Sequence, residues 1–222
     1  MSQSSDLESK LTALQQAATL KERAKTKKAF SRLLNYEADL MSGADHPVLI
    51  AVQTFADVAA DFYRVPRIKV FYANNELGVQ WNGLTRAAFD NWIGFDPDML
   101  QKAAAKYGTH FAENVIAHEI GHHVVDRLGF AGIPRIANEA IADYLAGIFA
   151  GSKGLDPNGF AQFLAEQPPD GKDYPHGPER HALYLAGYRT AAEYTFQNFQ
   201  AVIDDPRFNL RLALCQVVER YC

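Results

Sequence analysis

The chain carries the sequence His118-Glu119-Ile120-Gly121-His122, which is an HExxH pattern. Residues four apart on an α-helix are separated by little more than one turn, so the two imidazoles face the same way and can share one metal ion. Glu119 is not placed to share that metal, but its carboxylate can take a proton from a water that the metal binds. The pattern therefore predicts a zinc-binding helix with its own general base.

Short patterns also arise by chance, and the neighbouring residues favour the metal site over an ordinary core helix. The stretch from Phe111 to Leu128 has the apolar spacing of an amphipathic helix and contains no proline. A core helix would have to find polar partners for two histidines and a glutamate on one buried turn. We expect the next residue, His123, to have a supporting or surface role rather than to bind the metal, and Gly121 to serve close packing.

The composition of the chain excludes several classes of protein. Its 222 residues are enough for one domain with a sizeable core. The net charge of −4 argues against a nucleic-acid binder, so the basic residues at 21–28 are interpreted as a solvated helix face. No apolar run reaches the ~18 residues of a membrane span, and the polar N-terminus lacks the apolar centre of a secretory signal. We therefore expect a cytoplasmic location, with Cys215 and Cys222 as structural or incidental thiols.

The predicted elements are a few strands followed by helices, which is the α+β class. We expect an N-terminal helical extension over 1–45 and a main domain over 46–222. Strands are predicted at 68–72, 79–81 and 91–95. Helices are predicted from about 47 to before Pro66, at 98–107, around the HExxH pattern, and at 135–150, 158–166, 178–202 and 208–220.

A catalytic zinc site needs a third protein ligand besides the two histidines. The longer HExxHxxGxxH motif is excluded, because Val125 and Leu128 stand where its glycine and third histidine should be. A second helix supplies Glu139, seventeen residues after His122, and Asp143 four residues later on the same face. One of these carboxylates can bind zinc while the other accepts the N–H of a ligand histidine. The alternative is an acidic pair on a solvated helix face.

At these residues the chain resembles the gluzincin metallopeptidases. His118-Glu119-x-x-His122 followed by Glu139-x-x-x-Asp143 matches their HExxH and ExxxD pair. The short gap between the two motifs is similar to that of the minimal gluzincins, which include the small bacterial neutral zinc peptidases. The resemblance implies one zinc ion held by both histidines and Glu139, with Asp143 hydrogen-bonded behind the ligands.

The resemblance covers roughly residues 68–190 and is strongest over 111–150, where Asn138-Glu139 is also similar to the thermolysin group. It implies a mostly helical, zincin-like domain in which a small antiparallel or mixed sheet packs on the HExxH helix. It also implies that the strand from Trp92 to Phe95 is an edge strand, which pairs with an extended peptide substrate.

A later cluster, Tyr174-Pro175-His176-Gly177-Pro178-Glu179-Arg180-His181, is the candidate source of an oxyanion donor. Several minimal gluzincins carry a histidine and an arginine in a similar turn after the ExxxD helix. We therefore predict that His176 and Arg180 act in catalysis beside Glu119. The alternative is an ordinary loop that leads into a helix, with Pro178 near its first position.

Together these residues predict a zinc-dependent peptidase that acts on a peptide or protein, with no nucleic-acid partner. One alternative is a cytoplasmic regulatory protein that cleaves or binds one specific partner. Another is a non-catalytic interaction protein whose metal braces the fold, and Glu119 weighs against it because a structural site needs no base. The sequence leaves open the substrate, endo- or exopeptidase action, any activation step, the oligomeric state and the role of the N-terminal helix.

Overall fold

The computed structural model describes residues 47–72, 85–88, 92–95, 97–168, 173–194 and 196–221. Helices predominate in these ranges and a small sheet accompanies them, so the predicted α+β class is confirmed. The extension predicted over 1–45 and the strand predicted at 79–81 lie outside the described residues.

The elements are α1 (Pro47–Tyr63), β1 (Lys69–Tyr72), β2 (Thr85–Ala88), β3 (Trp92–Phe95), α2 (Pro97–Tyr107), α3 (Phe111–Val125), α4 (Arg135–Lys153), α5 (Asn158–Ala165), α6 (Gly177–Tyr194), α7 (Phe199–Asp204) and α8 (Leu210–Glu219).

The sheet has the order β1-β3-β2, which makes β3 its central strand. Ile93 of β3 pairs with Val70 in parallel β1 and with Ala87 in antiparallel β2. The expectation that the strand from Trp92 to Phe95 is an edge strand is therefore wrong. Its backbone groups are already paired on both sides, so they cannot also pair with a substrate.

Strand β2 lies at an edge of the described sheet and packs beside α3. Its sequence, Thr85-Arg86-Ala87-Ala88, has no run of β-branched or aromatic residues, which is why the sequence did not predict a strand there. Its position makes β2, rather than β3, the described strand with an edge next to the HExxH helix.

Helix α3 is the central element of the fold. Every residue from Val115 to Gly121 is buried, and the helix packs against α1 and α4. A helix that is buried on all sides carries apolar residues around its whole circumference, and the buried polar residues of α3 are Asn114, His118 and Glu119. After Val125 the chain continues as a π-helical turn, Asp126–Phe130, in which Gly129 has a φ of 84°. This turn reverses the chain and lets α4 return along α3.

Helices α4 and α6 pack against each other more closely than helices with ordinary side chains allow. A Cβ atom added to Gly147 would lie 2.0 Å from the carbonyl oxygen of Tyr184, and one added to Gly187 would lie 2.1 Å from that of Tyr144. Each helix therefore presents a glycine to the backbone of the other, which holds the start of α6 close to the start of α4.

The C-terminal helices depart from the predicted bounds at one break. The helix predicted at 178–202 is two helices, because α6 ends at Tyr194 and α7 begins after Asn198, whose side chain accepts a hydrogen bond from the amide of Ala201 at 3.1 Å. Asparagine is a preferred N-cap residue, so this cap defines a new helix start. No helix in the described part of the chain has both the length and the apolar character needed to cross a membrane.

Candidate metal centre

Helix α3 presents two imidazoles to α4. The ring centroids of His118 and His122 lie 4.8 Å apart, and the side chains are 9% and 18% exposed. Their Nε2 atoms both approach Oε2 of Glu139, at 3.3 Å from His118 and 3.8 Å from His122. The structure therefore brings the two histidines and the predicted third ligand to one point.

The three side chains have the chemistry of a single metal site. Their ligand atoms all lie within 4.8 Å of one another, and His118 and Glu139 are buried. Two imidazole nitrogens and one carboxylate oxygen are a known donor set for catalytic zinc, whose bonds to these atoms are about 2.0–2.2 Å long. Donors around such an ion stand about 3.3 Å apart, which is close to the Nε2–Oε2 distance at His118. His118, His122 and Glu139 can thus hold a metal ion.

The other nitrogen of each imidazole faces an oxygen on α4. Nδ1 of His118 lies 2.9 Å from Oδ1 of Asp143, although the ring is turned away from a linear hydrogen bond. Nδ1 of His122 makes a short contact with Oδ1 of Asn138. Oxygen partners at Nδ1 hold the proton there and leave Nε2 free to bind a metal. His118 contacts Asp143 near the middle of α4 and His122 contacts Asn138 near its start, so the two helices run antiparallel.

Asn138 is a residue of the centre for which the sequence predicts no role. Its place directly before Glu139 puts its side chain near the same group. Asp143, in contrast, lies where the ExxxD pattern predicts, and it is fully buried. Each ligand histidine therefore has its own oxygen partner from α4.

The electrostatics of the metal-free centre are those of tightly coupled charges. Burial lowers the pKa of His118, but the carboxylates of Asp143 and Glu139 outweigh it and raise that pKa to about 10. Burial raises the pKa of Glu139, but His122, His118 and Arg180 outweigh it and lower that pKa to about 2. The pKa of Asp143 is also lowered, because Arg180 and His118 overcome the effect of burial. Without a metal, the centre is a cluster of ion pairs.

Arg180 is part of this cluster. Its Nε donates to Oδ2 of Asp143 at 2.7 Å, and its second guanidinium nitrogen donates to Oδ1 at 3.0 Å. That second nitrogen also lies 3.7 Å from Oε2 of Glu139, and only 7% of the residue is exposed. Arg180 thus lies at the centre, but the N–H groups of its guanidinium are directed at Asp143. Its role as an oxyanion donor stays a prediction.

His176 lies at the surface before α6. Its carbonyl accepts from the amides of Glu179 and Arg180, and its own amide donates to Oε2 of Glu179 at 3.3 Å. These contacts start the helix and do not involve the imidazole. Among the described residues, the group of metal-ligand type does not include His176, so its catalytic role also stays a prediction.

Glu119 and His123 flank the ligands on α3. Glu119 is 7% exposed, so its side chain is largely buried, and it directly follows His118 in the sequence. His123 is half-buried, and burial, followed by the neighbouring His122, lowers its pKa. Among the described residues, the ligand group does not include His123, and the supporting or surface role expected for it stays a prediction. Gly121 packs closely as expected, because an added Cβ would lie 3.1 Å from Cα of Ala142.

Comparisons with known proteins add no family to this description. No protein-family model, curated protein or solved structure matches the chain. The function must therefore be argued from the geometry of the centre itself.

Proposed function

We propose that this protein is a zinc-dependent peptidase with a zincin-like fold and the ligand set of the gluzincins. The observation that carries the proposal is the convergence of His118, His122 and Glu139, with Asp143 and Asn138 behind the two imidazoles. A metal that only braces a fold is expected to have four protein ligands, whereas three leave a position open for chemistry. In the part of the chain that the structure describes, three side chains meet at this point, and this number supports a catalytic site.

A zinc ion bound here would polarise a carbonyl and lower the pKa of a coordinated water. Glu119 is the proposed general base, since it is buried, follows His118 directly on α3 and is not a member of the ligand group. It accepts the proton of the attacking water and passes it to the leaving amine. A peptide or protein is the proposed substrate. The outer edge that β2 has in the described sheet lies beside α3, and an extended chain could add there as a further strand.

The decisive experiment combines metal analysis with hydrolysis of casein. The purified protein should contain about one zinc ion per chain, and Glu139→Ala should lose it. Glu119→Gln should keep zinc and fold but lower turnover by about 10²–10⁴-fold, since the amide preserves the shape and cannot take the proton.

Glu113→Gln, on the same helix, is the matched control and should behave like the wild-type protein. A zinc-free protein, or equal turnover by zinc-loaded Glu119→Gln, would contradict the proposal. Zinc-loaded protein that spares casein but captures one partner would favour the regulatory alternative.

A further inference from the structure

Two arginines lie beside the proposed metal ligand Glu139, and they differ in exposure. The second guanidinium nitrogen of Arg180 is 3.7 Å from Oε2 of Glu139, and the arginine side chain is 9% exposed. Nε of Arg135, one helical turn before Glu139 on α4, is 3.7 Å from Oε1, and this arginine side chain is 55% exposed. Arg180 is also engaged by two hydrogen bonds to Asp143. Of these two cations, Arg135 is therefore the one that a molecule bound at the centre can reach.

Arg135 is held in one orientation although it is exposed. Its Nη2 nitrogen donates a short hydrogen bond to the hydroxyl of Tyr174. Its guanidinium carbon lies 4.8 Å from the centroid of the same ring, so the cation also contacts the aromatic face. A long exposed side chain normally loses rotamer freedom when it binds a ligand, and this loss opposes binding. The contacts with Tyr174 restrict Arg135 in advance and so favour the binding of an anion.

The remaining guanidinium nitrogen of Arg135 faces a carboxylate of the protein itself. Nη1 lies 3.8 Å from Oδ2 of Asp173, whose side chain is 43% exposed. This distance is that of an ion pair and exceeds the roughly 2.7–3.2 Å of a hydrogen bond. All three guanidinium nitrogens carry N–H groups, and among the described residues the hydrogen bond of this guanidinium is the one from Nη2. A carboxylate therefore fits on this side of Arg135, and one that comes closer than Asp173 has N–H groups to accept from.

We propose that Arg135 binds a carboxylate of the peptide substrate, which takes the place of Asp173 and gives the protein a preference for acidic peptides. The inference rests on the proposed peptidase function and names its substrate class. The carboxylate belongs to an aspartate or glutamate side chain or to the C-terminus of the peptide, because both present the same two oxygens to a planar guanidinium. A C-terminal carboxylate would make the protein an exopeptidase, whereas a side-chain carboxylate would not require a chain end.

The test measures peptide binding by calorimetry to zinc-loaded Glu119→Gln, so that cleavage does not interfere. Three acetylated octapeptides of alanine and serine are compared: one with a central glutamine and an amidated end, its twin with a central glutamate, and its twin with a free C-terminal carboxylate. An octapeptide can slide along the site, so the glutamate can reach Arg135 from either side of the metal. One of the two carboxylates should raise the affinity about 5–10-fold over the glutamine amide, the scale of one well-aligned ion pair. The twin that gains affinity identifies the source of the carboxylate.

Variants at two positions test where this preference arises. Arg135→Met should bring the ratio of the two affinities to about one, and a change in zinc content or fold that weakens both peptides alike does not alter that ratio. Asp173→Asn should raise the ratio by up to about 5-fold, because a competing carboxylate is removed. Arg189→Met is the matched control, since Arg189 is exposed on α6, nine residues after Arg180 and about 14 Å along the helix. It should keep the wild-type ratio.

Equal affinity for all three peptides would overturn the inference without any further variant. A preference for a carboxylate that survives Arg135→Met would also overturn it, and an unchanged ratio in Asp173→Asn would overturn the displacement of Asp173. Zinc-loaded protein that binds none of the peptides contradicts the inference, and the proposed function is then judged by casein hydrolysis alone. A carboxylate preference that depends on Arg135 supports the inference even if casein is not cleaved.

Discussion

Arg180 holds Asp143 through two hydrogen bonds, and Asp143 in turn faces Nδ1 of His118 at 2.9 Å. The guanidinium on α6 is thereby connected through one carboxylate to a proposed metal ligand on α3. Asp143 is fully buried and Arg180 is 7% exposed. If one of the two charged groups is removed, water therefore cannot take its place beside the other. The pair links three helices at the centre.

Arg180→Met should therefore weaken zinc binding as well as the fold. Removing one partner of a buried ion pair costs about 3–5 kcal/mol, because the other charge stays buried without compensation. Loss of the group that orients a ligand's partner should reduce zinc affinity by about 10–100-fold. Competition with a chromophoric chelator measures the affinity, and urea unfolding measures the stability.

Arg189→Met is the control, since Arg189 is exposed on the same helix. Wild-type zinc affinity in Arg180→Met, together with slowed turnover, would return Arg180 to the role of oxyanion donor.

Asn138 should contribute to zinc affinity through His122. Asn138→Ala removes the oxygen that faces Nδ1 of His122, so the imidazole loses both its orientation and its preferred tautomer. We expect zinc to bind about 10–100-fold more weakly, with little change in unfolding free energy of the metal-free protein. Asn138→Asp keeps an oxygen at the same position and should retain most of the affinity. Equal loss in both variants would mean that Asn138 acts through packing.

The residues of the centre that the sequence predicts are those related by local helix geometry. His118 and His122 share a face because they are four apart, and Glu139 and Asp143 share one for the same reason. Gly129, Gly132 and Pro134 between the two helices favour a turn that lets the helices pack antiparallel. These short-range rules suffice to bring the three proposed ligands together, and the structure does so.

What the sequence does not predict depends on contacts between distant segments. The order of strands in a sheet is not contained in any strand's own pattern, so the central place of β3 could not be foreseen. Arg180 meets Asp143 only because α6 crosses α4 closely, at Gly147 and Gly187. Tyr174 meets Arg135 across 39 residues of sequence. Spacing rules over one or two turns carry no information at that range.

The close contacts of Gly147 on α4 and Gly187 on α6 lead us to expect an unusual effect of alanine substitution at these positions. Glycine to alanine within a helix normally stabilises a protein by about 0.5–1 kcal/mol. Gly147→Ala should do the opposite, because its Cβ would lie 2.0 Å from a backbone oxygen of α6 and the helices must move apart. Such overpacking costs about 1–3 kcal/mol, and here it would also shift Arg180 away from Asp143.

Urea unfolding and zinc affinity should therefore both decline in Gly147→Ala and in Gly187→Ala. Ala192→Leu is the control, because Ala192 is exposed on α6. An unchanged midpoint in both glycine variants would show that the helices do not cross so closely.

The metal-free protein should lose stability as the pH rises above neutrality. The carboxylates of Asp143 and Glu139 raise the pKa of His118 to about 10 against the lowering effect of burial, whereas the unfolded chain has the ordinary value of about 6.5. A group with a raised folded pKa contributes stability that is fully present below its unfolded pKa and is lost as the pH rises through the folded one. The loss should therefore run from about pH 6.5 to about pH 10.

Thermal unfolding in excess chelator between pH 7 and pH 9 measures this loss. Between pH 7 and pH 9 the buried tyrosines do not change the stability, because their raised pKa values affect it only above the ordinary value of 10. His123 does not change it either, because burial lowers the pKa of this residue below its ordinary value. Asp143→Asn removes the carboxylate that contributes most to raising the pKa of His118. That variant should be less stable throughout, because Arg180 loses its partner, yet its stability should fall less steeply across the window. An equally steep fall in both proteins would show that His118 is not paired with Asp143 when the metal is absent.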